Sequence, residues 1–445
     1  MADPAVVRAV AFYAPVAAVA ATIAATRPDR RRAGAALLAT LWNLAALLAV
    51  NVVAVHSGWW RFDSVGGELA GVPVDAWLGW ALLWGALPAL LPRGVPAVAV
   101  VTGLVWADLL LMPLGQPVLV LGPGWLAGEA LAVGAALVPG LVLARATTGH
   151  SWLAVRAVMQ VVLFTTLIGW VATSALLEAT GGRWAGHLDL SRPTVQAALE
   201  LIALLSLPAL AAVAELARRG GGTPYPFDPP PRLVTSGPYA YAANPMQLSM
   251  TLVLVAWGAA LGSWAVVLLA VVGAAFAAGI AGWHETVELE QRFGDDWHRY
   301  RHHVRTWRPR WRPWPDPGPP AVLYVAPGCD PCDGLGRWLG ARQPVALEIR
   351  SAAESPRPLT RLTYVGPDGL VESGVAAFGR ALQHLHLAWA LLGWLLLLPG
   401  LNRFVQLVVD AVGGGPLAEP LGGPAARPMH AGAATPTASG ASSGA

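Results

Sequence analysis

Two short stretches of this chain carry residue types that could do chemistry. The first is Leu233–Pro245, LVTSGPYAYAANP, in a polar gap between two long apolar runs. It combines turn formers (Ser236, Gly237, Pro238), paired aromatics (Tyr239, Tyr241) and an Asn244-Pro245 step. Irregular backbone of this composition at the mouth of a helical hairpin suits a small-molecule site, since non-helical backbone beside a bilayer must line a cavity or be buried in protein. The second is Cys329-x-x-Cys332, at a strand-to-helix junction. A thiolate at a helix N-terminus is stabilised by the dipole, which points to thiol–disulfide exchange, with Cys329 attacking and Cys332 resolving. Both cysteines of the chain lie in this pair. That excludes a disulfide scaffold and leaves a structural zinc without a second ligand pair, so no metal is expected. Asp108, Glu129 and Glu200 lie in or near apolar runs. A carboxyl there is costly: it pairs with polar neighbours, snorkels near a span end or marks a substrate path.

The elements that must position these residues are long apolar helices. The chain has 445 residues, 55% hydrophobic and only 12% charged, with 21 Trp. Its first part repeats one pattern, an apolar run of about 20 residues and then a short Gly/Pro/Arg break, and that length matches the core of a bilayer. The runs fall near 6–25, 33–55, 75–92, 94–112, 119–144, 153–177, 195–217, 246–262 and 263–283. The net charge of +3 is small and scattered, so no nucleic-acid partner is expected. RPDRRR follows the first run where a cleaved leader would carry small residues, so that run reads as a retained helix. Basic residues follow every odd-numbered run: Arg27 to Arg32, Arg93, Arg145, Arg218 with Arg219, and Arg292 to Arg312. Positive charge marks the cytoplasmic side. The N-terminus is therefore expected outside a cell membrane and the C-terminal part in the cytoplasm. Trp59–Asp75 is an aromatic, Gly-rich outer loop, either an interfacial belt or a lid over a lipid pocket.

Downstream of the runs, His284–Tyr300 reads as an amphipathic helix leaving the membrane, with Trp283, Trp297 and Trp307 at headgroup level. The many arginines of 299–310 suit an anionic leaflet. Residues 313–320, with WPDPGPP, form a linker. Strands are expected at Ala321–Val325 and Val345–Arg350, then at Leu362–Val365 and Leu370–Glu372 around a GPDG turn. Helices follow at Cys332–Leu339, Val375–His386 and Leu387–Leu398. From Gly413 to the end the chain is Gly/Ala/Pro/Ser/Thr, a disordered tail.

Read together, LVTSGPYAYAANPMQL, a hairpin and HETVELEQRFGDDWHRYRHHVRTWRPR resemble the isoprenylcysteine carboxyl methyltransferase and phospholipid methyltransferase family over about 195–311. The family pattern is G-P-Y-x-Y-x-R-(H/N)-P-x-Y, two helices, E-E, then F-G-x-x-(Y/W)-x-x-Y. Gly237, Pro238, Tyr239, Tyr241, Asn244, Pro245, Glu285, Phe293, Gly294 and Tyr300 match it. Ala243, Gln247 and Thr286 stand where the family has Arg, Tyr and the second Glu. The resemblance implies S-adenosylmethionine held by cytoplasmic segments that cap the last helices, and a lipid-like substrate entering from the bilayer. Such a cofactor asks for aromatic faces around its sulfonium and adenine, here Tyr239 and Tyr241. It asks for an acid near its amine or ribose, here Glu285, and donors for its carboxylate, here Asn244 or loop N–H groups. A carboxylate acceptor would need no base; an amine or hydroxyl would, and His284 is adjacent.

VLYVAPGCDPC, with TYVGPDGLVESGVAAFGRALQHL and LPGLNRFVQLVVDAV, resembles the DCC-type thiol–disulfide oxidoreductase-like family over about 321–412. It implies a thioredoxin-like domain and a cytosolic thiol redox partner.

The expected architecture is a polytopic α-helical membrane protein of about nine transmembrane helices with a small C-terminal α/β thioredoxin-like cytoplasmic domain. Its parts are N-terminal helices (1–194), a methyltransferase-like hairpin and cap (195–312), the linker, the C-x-x-C domain (321–412) and the tail (413–445). The expected activity is S-adenosylmethionine-dependent methylation of a lipid, prenyl or other hydrophobic substrate. The alternative is a membrane-anchored thiol–disulfide oxidoreductase that keeps the methyltransferase fold as an anchor.

Overall fold

A computed structural model describes residues 3–63, 66–182, 184, 189–315, 317–327 and 330–423. The chain divides into two compact units, Met1–Trp314 and Pro315–Ala445.

The first unit is a helical bundle. Its apolar helices are α1 (Pro4–Thr26), α2 (Arg30–His56), α3 (Val74–Leu90), α4 (Ala97–Gly115), α5 (Trp125–Thr148), α6 (Leu153–Ala179), α7 (Pro193–Gly220), α8 (Pro245–Ala260) and α9 (Trp264–Gly279). Among the described residues, six of these (α1, α2, α4, α5, α6 and α7) are long and apolar enough to cross a membrane; α3, α8 and α9 are apolar but shorter. Val98, Leu110, Val158 and Val271 point large apolar side chains outward, as lipid permits and water does not. This is a multi-pass helical membrane protein. Polar caps fix where helices begin. Asp3 and Asp29 accept from Ala5 N–H and Arg32 N–H, with Pro4 in the first turn of α1.

Helix α2 is the hub, with buried small residues along its length. Gly85 of α3 lies so close that a Cβ would meet the Thr40 backbone at 2.4 Å, and Gly79 of α3 meets the Ala11 carbonyl of α1 at 2.0 Å in the same sense. Small residues let backbones approach where hydrophobic driving force is weak. The apolar run expected from residue 119 does not begin as a helix. Leu119–Leu121 is a strand, β4, paired antiparallel with β1 (Trp60–Phe62), and Gly122-Pro123-Gly124 delays the helix to Trp125. A second small ribbon, β2 (Glu68–Leu69) with β3 (Val72–Pro73), lies in the loop before α3.

After α7 a Pro-rich strap runs back over the bundle. Tyr225 Oη donates to the Gly34 carbonyl of α2 at 2.6 Å. Asp228 receives Arg31 at 2.8 Å, Thr223 Oγ1 at 3.0 Å, and Arg156. The chain then closes with helix α10 (Gly282–His303), longer than the expected His284–Tyr300 and broken at Gly294, whose φ of 50° only glycine adopts freely. Trp314, expected in the linker, is buried against Tyr300 with ring centroids 5.6 Å apart.

The second unit is a four-stranded sheet, β5 (Ala321–Val325), β6 (Leu347–Ser351), β7 (Thr363–Val365) and β8 (Val371–Ser373), in the order β6-β5-β7-β8. Strands β5 and β6 are parallel and the other pairs antiparallel. Helix α11 (Asp330–Gly340) makes the crossover between the parallel pair. Helices α12 (Val375–Leu382), α13 (Leu387–Leu396) and α14 (Pro399–Val409) follow. Leu323, Leu339, Ala377 and Leu382 form the core. The stretch from Gly413, expected as a disordered tail, returns to the domain as far as Gly423. Leu417, Leu421 and Gly423 N–H groups donate to Thr360, Leu359 and Ser355 carbonyls. Residues 424–445 lie outside the described residues.

Candidate functional site

Helices α8 and α9 form a hairpin turning at Leu261–Ser263. Its open end meets the first turn of α10 and the segment after it. The Asn244-Pro245 step explains the start of α8. Asn244 Oδ1 accepts from Gln247 N–H at 3.2 Å as the helix cap, and Pro245 fills the first position. The amide of the same side chain is left free to turn outward, and its Nδ2 donates to Glu285 Oε2 at 3.3 Å. One residue thus ends a loop and orients an acid.

These two residues open on a cavity of about 560 Å³, a size suited to a small molecule. Its other walls are Trp283, Trp297 and Trp307 and the side chains of Arg301, Arg305 and Arg308. Arg301 lies over the Trp297 ring at 5.5 Å. The two are four residues apart on one helix, so their side chains face alike. The N–H of Ala243 donates to the Arg305 carbonyl at 3.1 Å. The backbone of Arg305 is thereby tied to Ala243, which stands where the family pattern has an arginine, and both residues line the cavity. Partial loss of water around its carboxylate in the cavity wall raises the Glu285 pKa above its ordinary value. The Asn244 hydrogen bond and the Arg301 charge oppose this, and Glu288 adds to it. The residue still opens on the cavity, so its carboxyl is available to a ligand.

The tyrosines are placed differently from the expectation. Gly237–Ala240 is a single 3-10 turn, and Tyr239, Tyr241 and Tyr300 are buried in the cap. Tyr300 Oη donates to the Tyr239 carbonyl at 2.8 Å. Arg310 N–H donates to the Tyr241 carbonyl and Trp314 N–H to that of Ala240. Gly237 has φ +59° and sits against Glu215, which accepts from Ser236 Oγ at 2.7 Å. The GPYAY turn is thus a clamp that ties α7, α10 and the closing segment together. Burial raises all three phenols above their ordinary pKa, so none serves as a base near neutrality. None of them lines the cavity, nor do Gly237, Pro238 and Pro245, whereas Asn244 and Glu285 do. The aromatic faces come instead from tryptophans that looked interfacial in the sequence. The one local signal for them was the four-residue spacing of Trp297 and Arg301.

The dithiol lies in the second unit. Cys332 falls in the first turn of α11, its side chain outside the described residues, and Cys329 lies outside them altogether. The side chain of His284 is likewise outside.

Residues 194–296 match the phospholipid methyltransferase family. The matched span runs from α7 into α10 and contains Asn244 and Glu285. Trp297 and the cavity arginines lie just beyond it. No curated protein and no solved structure matches this chain. The chain is a multi-pass membrane protein with a methyltransferase-like segment, and the cavity sits where that segment folds against its own C-terminal extension.

Proposed function

We propose that this cavity binds S-adenosylmethionine and that the protein methylates a lipid, prenyl or other hydrophobic substrate. The observation that carries the reading is the meeting of Asn244 and Glu285 with Arg301 and Arg305 in one cavity at the end of an apolar hairpin. The donor set fits the group. Arginine forks suit its carboxylate, Glu285 suits its amine or a ribose hydroxyl, and Trp283, Trp297 and Trp307 offer ring faces to a cation or a base. When bound, S-adenosylmethionine supplies an electrophilic methyl group. The protein's part is positioning and exclusion of water. Gly237, Pro238, Tyr239, Tyr241, Pro245 and Tyr300 act in this reading by holding the cap that shapes the cavity.

Titration of S-adenosylmethionine into the purified full-length protein is expected to show saturable binding. A ligand cation favours the ionised form of Glu285. Affinity is therefore full above the raised pKa of that carboxyl and falls as pH drops through it. The Glu285→Gln variant is expected to lose this pH dependence. Absence of saturable binding at every pH would overturn the assignment.

The three shorter helices α3, α8 and α9 complete nine crossings in this reading, with the N-terminus outside and the second unit in the cytoplasm. The basic exits of the odd-numbered helices support it. Alkaline phosphatase fused after Gly423 is expected to be inactive; an active fusion would reverse the orientation.

The strand order of the second unit favours a further reading, as a thioredoxin-like domain with Cys329 and Cys332 as a redox pair. A parallel β5–β6 unit with the C-x-x-C at its β–α junction is the arrangement that lowers a thiol pKa. Titration against glutathione is expected to form and reduce a Cys329–Cys332 disulfide, followed by thiol alkylation. Two thiols that alkylate identically across the series would remove this activity.

A further inference from the structure

The first five helices hold a polar site of their own. Asp108, near the end of α4, and Glu129, near the start of α5, are 7% and 5% exposed. They line a cavity of about 20 Å³ together with Asn51, Trp60, Trp84 and Met112. That volume is about one water-sized centre.

The polar groups around this cavity are not equally satisfied. Asn51 Nδ2 donates to the Leu47 carbonyl at 2.8 Å, and its Oδ1 accepts from Trp60 Nε1 at 3.0 Å. Trp84 is 2% exposed, and its Nε1 has no partner among the described residues. Glu129 Oε1 has none either. The cavity thus presents one buried unpaired donor and one buried unpaired acceptor, each costly to leave so. The chemical group that answers both is a hydroxyl, which accepts and donates through the same oxygen.

We propose that the cavity between α2, α3, α4 and α5 binds a single hydroxyl oxygen, which accepts from Trp84 Nε1 and donates to Glu129 Oε1. The oxygen belongs to water or to the terminal hydroxyl of a long-chain lipid alcohol. Position suits an amphiphile. The site lies at the end of the bundle where β1 and β4 pair, and Trp60 of that ribbon forms part of its wall. Met112, unbranched and flexible, is the wall residue best able to yield to a chain.

The test uses the full-length protein in lipid nanodiscs. Tritiated 1-hexadecanol is titrated against an empty-nanodisc background, with unlabelled 1-hexadecanol and hexadecane as competitors. Infrared spectra are recorded in ordinary and ¹⁸O-labelled water. Saturable binding competed by the alcohol and not the alkane, and weakened at least tenfold in Trp84→Phe, establishes the lipid source. No saturable alcohol binding, but an ¹⁸O-sensitive O–H stretching band that disappears in Glu129→Gln, establishes water. Absence of both signals, or saturable alcohol binding that Trp84→Phe leaves unchanged, overturns the proposal. Absence of both signals is read on the unmodified protein, so it overturns the proposal even if a variant fails to fold.

Discussion

Glu285→Ala is expected to reduce methyl transfer from S-adenosylmethionine by at least tenfold and up to about a hundredfold. A hydrogen bond to a charged partner contributes about 1.5–3 kcal/mol, and each 1.36 kcal/mol is a factor of ten. The carboxyl is held by Asn244 at 3.3 Å, so its position is set before any ligand arrives. Asn244 is itself pinned as the cap of α8. Removing the acid also leaves Arg301 as an unbalanced charge on the cavity wall. The kinetic split identifies the role. A rise in KM with kcat unchanged means that Glu285 only anchors the ligand, while an equal fall in kcat and kcat/KM means that it acts on the transition state. Unchanged turnover in Glu285→Ala would sink the assignment of this cavity. Arg305→Ala, which removes an arginine from the cavity wall, is the companion variant that separates loss of the acid from loss of the cavity.

The largest effect on stability is expected from Asp228→Ala. Asp228 is 5% exposed and Arg156 2%. The carboxylate holds Arg156, Arg31 and Thr223 at once. Removing the shared anion strands a buried guanidinium, which costs about 3–5 kcal/mol when one partner of a buried pair is deleted. The strap from Thr223 to Asp228 would then be held mainly by Tyr225 on Gly34. Thermal unfolding in detergent is expected to show a lower midpoint for Asp228→Ala, with Asp228→Asn in between because the amide keeps hydrogen bonds without the charge. An unchanged midpoint would mean that this network contributes nothing net, as some buried ion pairs do.

The sequence alone determined what local chemistry determines. Apolar runs of about bilayer length placed the helices, because each residue's transfer energy acts wherever the chain goes. Asn244-Pro245 marked the start of α8, because a cap is a property of single residues; the break of α10 at Gly294 was not marked, because glycine permits a positive φ without requiring one. The alternation of strands and helices after residue 320, with GPDG as a turn, marked the sheet. Only the tertiary structure decided which faces meet. Tyr239, Tyr241 and Tyr300 have the chemistry of a cation site, yet they pack inside the cap, because an aromatic ring serves burial and binding equally well. Ala243 gains an arginine neighbour from residue 305 through one backbone hydrogen bond. Asp228 finds Arg31 and Arg156 at separations of 197 and 72 residues. Asp108 and Glu129, separate features in the chain, share a cavity. Such pairings depend on how whole helices turn against each other, and no local pattern of residue types encodes that rotation.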